Sequence, residues 1–123
     1  MLLVEQDASI IRGLRMALEL EPDVLVVGEA DCCCTALALA RSLQPDILLT
    51  EILPADRGGI VCASDIAASA PCCAVVVLSL EDDSAGRSRA CAAGAVAFVG
   101  KHEPYASLLS AIREAAHRRR SSS

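Results

Sequence analysis

A chain of 123 residues, 54% hydrophobic but with one Tyr, one Phe and no Trp, is a single domain whose core has to be aliphatic. Its net charge of −5 argues against nucleic-acid binding by this segment. No apolar run approaches the roughly 20 residues that span a bilayer, and the opening MLLVEQD has no basic region before its first acid, so neither a membrane contact nor a signal peptide is expected and the expected location is cytoplasmic.

Short apolar runs alternate with amphipathic stretches along the chain. Strands are predicted at Leu2–Glu5, Val24–Gly28, Asp46–Glu51, Ala74–Ser79 and Ala95–Val99, each a near-continuous run of aliphatic residues, as in strands covered on both faces. After the first strand, Ile10, Ile11, Leu14, Ala17 and Leu18 share one helical face with Arg12, Arg15 and Glu19 opposite. Ala36, Leu39, Ala40 and Leu43 repeat that face, and Ile60, Ala63, Ile66, Ala67 and Ala70 repeat it more weakly. Asp83 to Ala93 is an Ala-rich helix that Gly94 is placed to end in the left-handed conformation. The last helix, about Tyr105 to Arg118, turns Leu108, Leu109, Ile112, Ala115 and Ala116 inward. Pro22, Pro45 and Pro71 each fall between a helix and the next strand. Five βα units of this length make an α/β fold, a doubly wound parallel sheet over residues 1–117. Residues 118–123, RRRSSS, are expected to be a frayed tail or the start of a linker.

Seven cysteines, at positions 32, 33, 34, 62, 72, 73 and 91, form no C-x-x-C pair and lie far from His102 and His117. Neither a zinc site nor a disulfide framework is expected. The cysteines read as reduced, small apolar fillers. Cys32 to Cys34 sit near a helix start, where one of them could be a low-pKa thiol.

In open α/β sheets the sites lie at the carboxyl ends of the strands. There the sequence places Glu5, Gln6 and Asp7 after the first strand, Glu51 ending the third and Ser79 ending the fourth. Glu81, Asp82 and Asp83 follow the fourth strand, and Lys101 follows the fifth. Taken singly, each is a solvated strand end. Together, carboxylates with a hydroxyl and a lysine suit Mg²⁺ and phosphoryl oxygens.

The segments MLLVEQDASIIRGLRMALELEPDVLVVGEA, ALALARSLQPDILLTE, VVVLS, AGAVAFVGK and LLSAIREAA resemble the receiver domain of bacterial two-component response regulators, of the subtype joined to a LuxR-type helix-turn-helix domain. The resemblance runs from residue 1 to about 117. It implies a flavodoxin-like (βα)5 sheet with strand order 2-1-3-4-5, and a DNA-binding domain downstream that this chain lacks. In such receivers an Asp ending the third strand accepts a phosphoryl group beside a Mg²⁺ held by an acid pair. The matching positions are Glu5 for the first acid, Ser79 for the hydroxyl, Phe98 for the aromatic switch and Lys101 for the lysine.

Two positions depart from that pattern. Glu51 stands at the phosphoacceptor position, and Gln6 stands at the second acid. Pro54 also comes one place early. Gln6 keeps an oxygen but loses a charge, so Mg²⁺ binding is expected to be weak or lost, with no resident cofactor. The extra methylene of Glu51 carries its carboxylate roughly 1–1.5 Å further into the pocket. A shift of that size can cost ~100-fold in a positional reaction such as phosphoryl transfer.

The leading expectation is therefore a non-enzymatic, phosphorylation-independent receiver controlling transcription, usually as a homodimer, with DNA reached only through the absent domain. Glu51 is either a fixed anion paired with Lys101 that replaces the phosphate switch, or the remnant of a decayed pocket. The alternatives are a sensor of a small pathway end product, such as the antibiotics that similar atypical receivers answer to, a working Mg²⁺-dependent phosphoacceptor, and a cysteine redox sensor.

Overall fold

The computed structural model describes residues 1–5, 7–52, 64–70, 72–79, 84–100 and 103–121. The strands are β1 (Leu2–Val4), β2 (Gly28–Ala30), β3 (Ile47–Ile52), β4 (Ala74–Ser79) and β5 (Ala95–Gly100). The helices are α1 (Ala8–Glu19), α2 (Cys33–Leu43), α3 (64–69), α4 (Ser84–Ala92) and α5 (Tyr105–Ser121). All the strands run parallel in the order β2-β1-β3-β4-β5, the topology expected from the sequence.

Alternating side chains on each strand face opposite layers. Leu2, Leu48, Val75, Val77 and Phe98 pack on Ala36 and Ala40 of α2, Ile66 of α3 and Ala90 of α4. Leu3, Leu49, Val76, Leu78 and Val99 pack on Ile11 and Leu18 of α1 and on Leu108, Ile112 and Ala115 of α5. The largest fully buried side chains are all Leu, Ile or Val, as a chain almost without aromatics requires. Ala36, Ala40 and Ala90 are wholly buried, so small residues let these helices lie close to the sheet.

Two boundaries differ from the sequence expectation. β2 was expected over Val24–Gly28 but is paired over Gly28–Ala30. Gly28 is level with Leu2 of β1, so the residues before it meet only Met1, through the Val27 amide donating to the Met1 carbonyl at 2.9 Å. That leaves Leu25 74% exposed. At the other end, α5 runs on to Ser121, and the basic run expected as a tail is its last turn. Arginine is a good helix former and is favoured at the negative end of the helix dipole. The predicted α3 face is described only in part: Ile66 is buried, while Ile60 and Ala63 lie outside the described residues.

Gly94 ends α4 as anticipated, with φ +101°. Its amide donates to the Cys91 carbonyl at 3.0 Å, and a Cβ at this position would stand 2.8 Å from the Cβ of Ala67 on α3. Gly94→Ala therefore meets both an unfavourable backbone region and a clash. It is expected to cost about 2 kcal/mol or more. Urea denaturation should show a lower midpoint with an unchanged slope, and an unaltered midpoint would contradict this account.

Candidate functional site

The acids gather at the carboxyl edge of the sheet because the strands are in register there. Val4, the last residue of β1, is level with Thr50 on β3, so Glu5, just past β1, and Glu51 come next along adjacent strands spaced about 4.8 Å apart. The Glu5 Oε1 accepts the Asp7 amide at 3.1 Å. The Oε2 atoms of Glu5 and Glu51 are both buried and accept no hydrogen bond, although Glu51 is engaged by other interactions. Ser79 closes β4 one step further on, level with Ile52 and Gly100, and is 6% exposed. Glu5, Glu51 and Ser79 are thus brought together along three neighbouring strands. Gln6, Lys101, Pro54 and the acids at 81–83 lie outside the described residues.

Asp7, grouped with these acids by sequence position, does a different job. Its carboxylate caps α1, accepting the amides of Ser9 at 2.8 Å and Ile10 at 3.4 Å.

Phe98 sits on β5 level with Val77 and is buried. Arg87 of α4 lies over its ring, with the guanidinium carbon 4.9 Å from the centroid, and Nη1 donates to the Phe98 carbonyl at 3.4 Å. Past the end of β5, the Gly100 amide donates to Glu103 Oε2 at 2.7 Å and the Glu103 amide donates back to the Gly100 carbonyl at 3.0 Å. Sequence reasoning missed both Arg87 and Glu103. Arg87 sits in a helix with little amphipathic pattern, and its partner is eleven residues away on another element.

The cysteines correct the sequence reading. Cys33 is disulfide-bonded, and its partner lies outside the described residues. A bridge between cysteines of unmatched spacing cannot be deduced from sequence alone. Of the free cysteines described, only Cys73 is a buried filler, while Cys32, Cys34, Cys72 and Cys91 are exposed. Cys32 is the N-cap residue of α2, with its Sγ 3.2 Å from Thr35 Oγ1. The Thr35 hydroxyl beside it holds its thiol below the usual range, against smaller opposing effects of burial and Asp31.

This five-stranded fold, with its acids and hydroxyl at the carboxyl edge, defines a class. The response regulator receiver domain family matches residues 1–113, and the chain belongs to that family. It is 32% identical over 114 residues to the response regulator GacA of Pseudomonas aeruginosa, covering 91% of this chain and 53% of that protein. It is 36% identical over 101 residues to a protein-glutamate methylesterase/protein-glutamine glutaminase of Anaeromyxobacter dehalogenans, covering 80% of this chain and 30% of that protein. A two-component response regulator of the LuxR family from Aurantimonas sp. SI85-9A1 superposes with a TM-score of 0.87 at 28% identity, over 94% of this chain and 83% of that one. The chain thus spans about half the length of GacA and less of the methylesterase. No helix among the described residues is long and apolar enough to cross a membrane.

Receivers of this family hold Mg²⁺ in the acid pocket. The buried Oε2 atoms of Glu5 and Glu51 are of the right chemistry to face a cation. Among the described residues, however, no three potential ligands converge on one point. Gln6, at the family's second metal position, lies outside the described residues.

The cysteine geometry makes a kinetic prediction. Thiolate is the reacting form, so Cys32 should be alkylated by iodoacetamide at neutral pH ahead of Cys34, Cys72 and Cys91, and Thr35→Ala should slow it selectively. Peptide mass mapping over time would read this directly. Equal rates at all four exposed thiols would remove the role assigned to Thr35.

Proposed function

We propose that this domain is an atypical receiver, a regulatory module rather than an enzyme, that works without phosphorylation in a protein controlling transcription. The observation that carries the reading is the residue at the end of β3. It is Glu51, with one carboxylate oxygen buried beside Glu5, at the position where the family pattern has its phosphoacceptor Asp. The longer side chain fills space that a transferred phosphoryl group needs, and Gln6 removes a charge from the metal side. In this reading Glu51 is a fixed anion for Lys101 and stands in for the phosphoryl charge.

The remaining parts of the proposal concern the whole protein. Likeness to a LuxR-family regulator supports a DNA-binding domain after α5, which would be the only route to DNA. Output through a homodimer is consistent with the exposed Met16 of α1 and Leu20, its C-cap residue, which an α1–α5 pairing would cover.

Thermal shift with Mg²⁺ and beryllofluoride tests the central claim. A ligand that binds only the folded state raises its melting temperature, by about 2.7 kcal/mol of stability at a concentration 100 times Kd. The native chain should give a flat response, and the Gln6→Asp, Glu51→Asp double variant should gain a clear rise. A rise in the native chain would overturn the proposal.

Glu51→Ala separates a phosphate substitute from an inert remnant. Removing one member of a buried pair leaves the other charge uncompensated. The variant should lose stability and shift the dimerisation constant measured by sedimentation. If neither moves, Glu51 is a remnant.

A further inference from the structure

The acid pocket uses none of the cysteines. Cys33 is disulfide-bonded, while Cys32 and Cys34 on either side of it, and Cys72, Cys73 and Cys91 further along, are free. The remaining cysteine of the sequence, Cys62, lies outside the described residues. One bridge beside five free thiols is not the framework of a stapled domain, in which the cysteines are paired off.

The bridge stands at the start of α2. β2 ends at Ala30, whose carbonyl accepts the Glu5 amide at 3.0 Å, and α2 begins three residues later at Cys33. The bond is therefore at the carboxyl edge of the sheet, on the β2 side of Glu5. Cys33 is half-buried against the layer that holds Ala36 and Ala40, with an exposed thiol before it and another after it. A small thiol in water has access to a bond so placed, and access is one of the factors that set the rate of exchange.

The helix start favours opening. α2 has 11 residues, no acidic residue in its first turn, and an N-cap residue, Cys32, whose side chain accepts no capping hydrogen bond. The positive end of the helix dipole is thus not offset from within the helix. A thiolate released at Cys33, the first helical residue, is stabilised there. Asp31, just outside the helix, works the other way, as it does on Cys32. A disulfide whose reduced form is stabilised is the more readily reduced.

We infer that the Cys33 bridge is a site of thiol–disulfide exchange, which small monothiols of the glutathione class open in the folded protein, releasing the first turn of α2. The step balances with that thiol alone. One thiolate attacks the bridge, forms a mixed disulfide with one sulfur and expels the other as a thiolate. A second displaces the first as the oxidised dimer. Two small thiols are oxidised, two electrons and two protons pass to the protein, and two cysteine thiols result. The inference does not rest on the role proposed for Glu51 and takes no residue from the acid pocket.

The test uses the native chain in glutathione buffers. Peptide mapping without reductant should find Cys33 bridged to Cys62. Folded protein held at rising ratios of reduced to oxidised glutathione, then acid-quenched and alkylated, should show the bridge opening reversibly at millimolar glutathione with no denaturant present. Hydrogen exchange should then quicken at the Ala36 amide, which is bonded to the Cys32 carbonyl at 3.0 Å, and stay slow in β4. Cys34→Asp, which places an acid in the first turn, should slow the opening by about 2- to 5-fold relative to Cys34→Ser. Cys33 found alkylated without reductant would overturn the inference. So would a bridge that yields to millimolar glutathione only after unfolding in urea, α2 amides that exchange equally in both states, or equal opening rates in the two Cys34 variants.

Discussion

A parallel sheet buried on both faces leaves its polar residues almost nowhere to go except the strand ends. β4, AVVVLS, is buried along its whole length and central in the sheet, with β3 on one side and β5 on the other. Its two sets of alternate side chains feed separate hydrophobic layers, Val75 and Val77 into one and Val76 and Leu78 into the other. The first residue able to carry chemistry is the last one, Ser79. The same constraint on β1 and β3 delivers Glu5 and Glu51 to the same edge at matched height. The candidate site is thus a by-product of how the core is closed, and its position follows from the sheet before any particular side chain is considered.

That is why the framework was legible and parts of the site were not. β4 was bounded to the residue because its aliphatic run starts soon after Pro71, ends on Ser79, and both faces are covered. β2 was misplaced because VLVV has the composition of a strand, whereas pairing depends on whether a neighbour is present at that height. The ladder starts at Leu2 and Gly28, and no property of Val24 to Val27 encodes that. Glu5 and Ser79 could be read from position along the strands, and Phe98 only from the family resemblance. Arg87 could not, because a cation stacked on a ring across eleven residues leaves no periodic trace. Cys33 was misjudged for a similar reason: pairing between distant cysteines is a fact of tertiary structure.

Arg87 also bears on how such a pocket is held. An aromatic residue that switches needs two positions of similar energy. Here Phe98 is buried, with a guanidinium on its face and its own carbonyl bonded to the same side chain. A cation–π contact contributes about 0.5–2 kcal/mol depending on desolvation. A two-state residue poised near balance shifts tenfold for each 1.4 kcal/mol. The contact from α4 therefore helps hold the Phe98 ring in the buried position that the structure shows.

The two ends of β3 then acquire different meanings. The strand begins at Ile47, in the wall of a cavity beside Arg113 and Asp46, and reaches Glu51 at the acid edge four residues later. Between them Leu48 and Leu49 are almost wholly buried, each facing a different layer, so the strand cannot slide or rotate without disturbing both cores. Close-packed interiors transmit displacement poorly as gradual deformation and well as a discrete change of arrangement. If the acid edge is fixed by Glu51, a conformational input has to enter elsewhere. The amino-terminal pole, with Leu25, Val27 and Leu43 exposed around that cavity, is where such an input would find uncommitted surface. Its link to the acid edge is β3, whose Leu48 and Leu49 are almost wholly buried in the two layers.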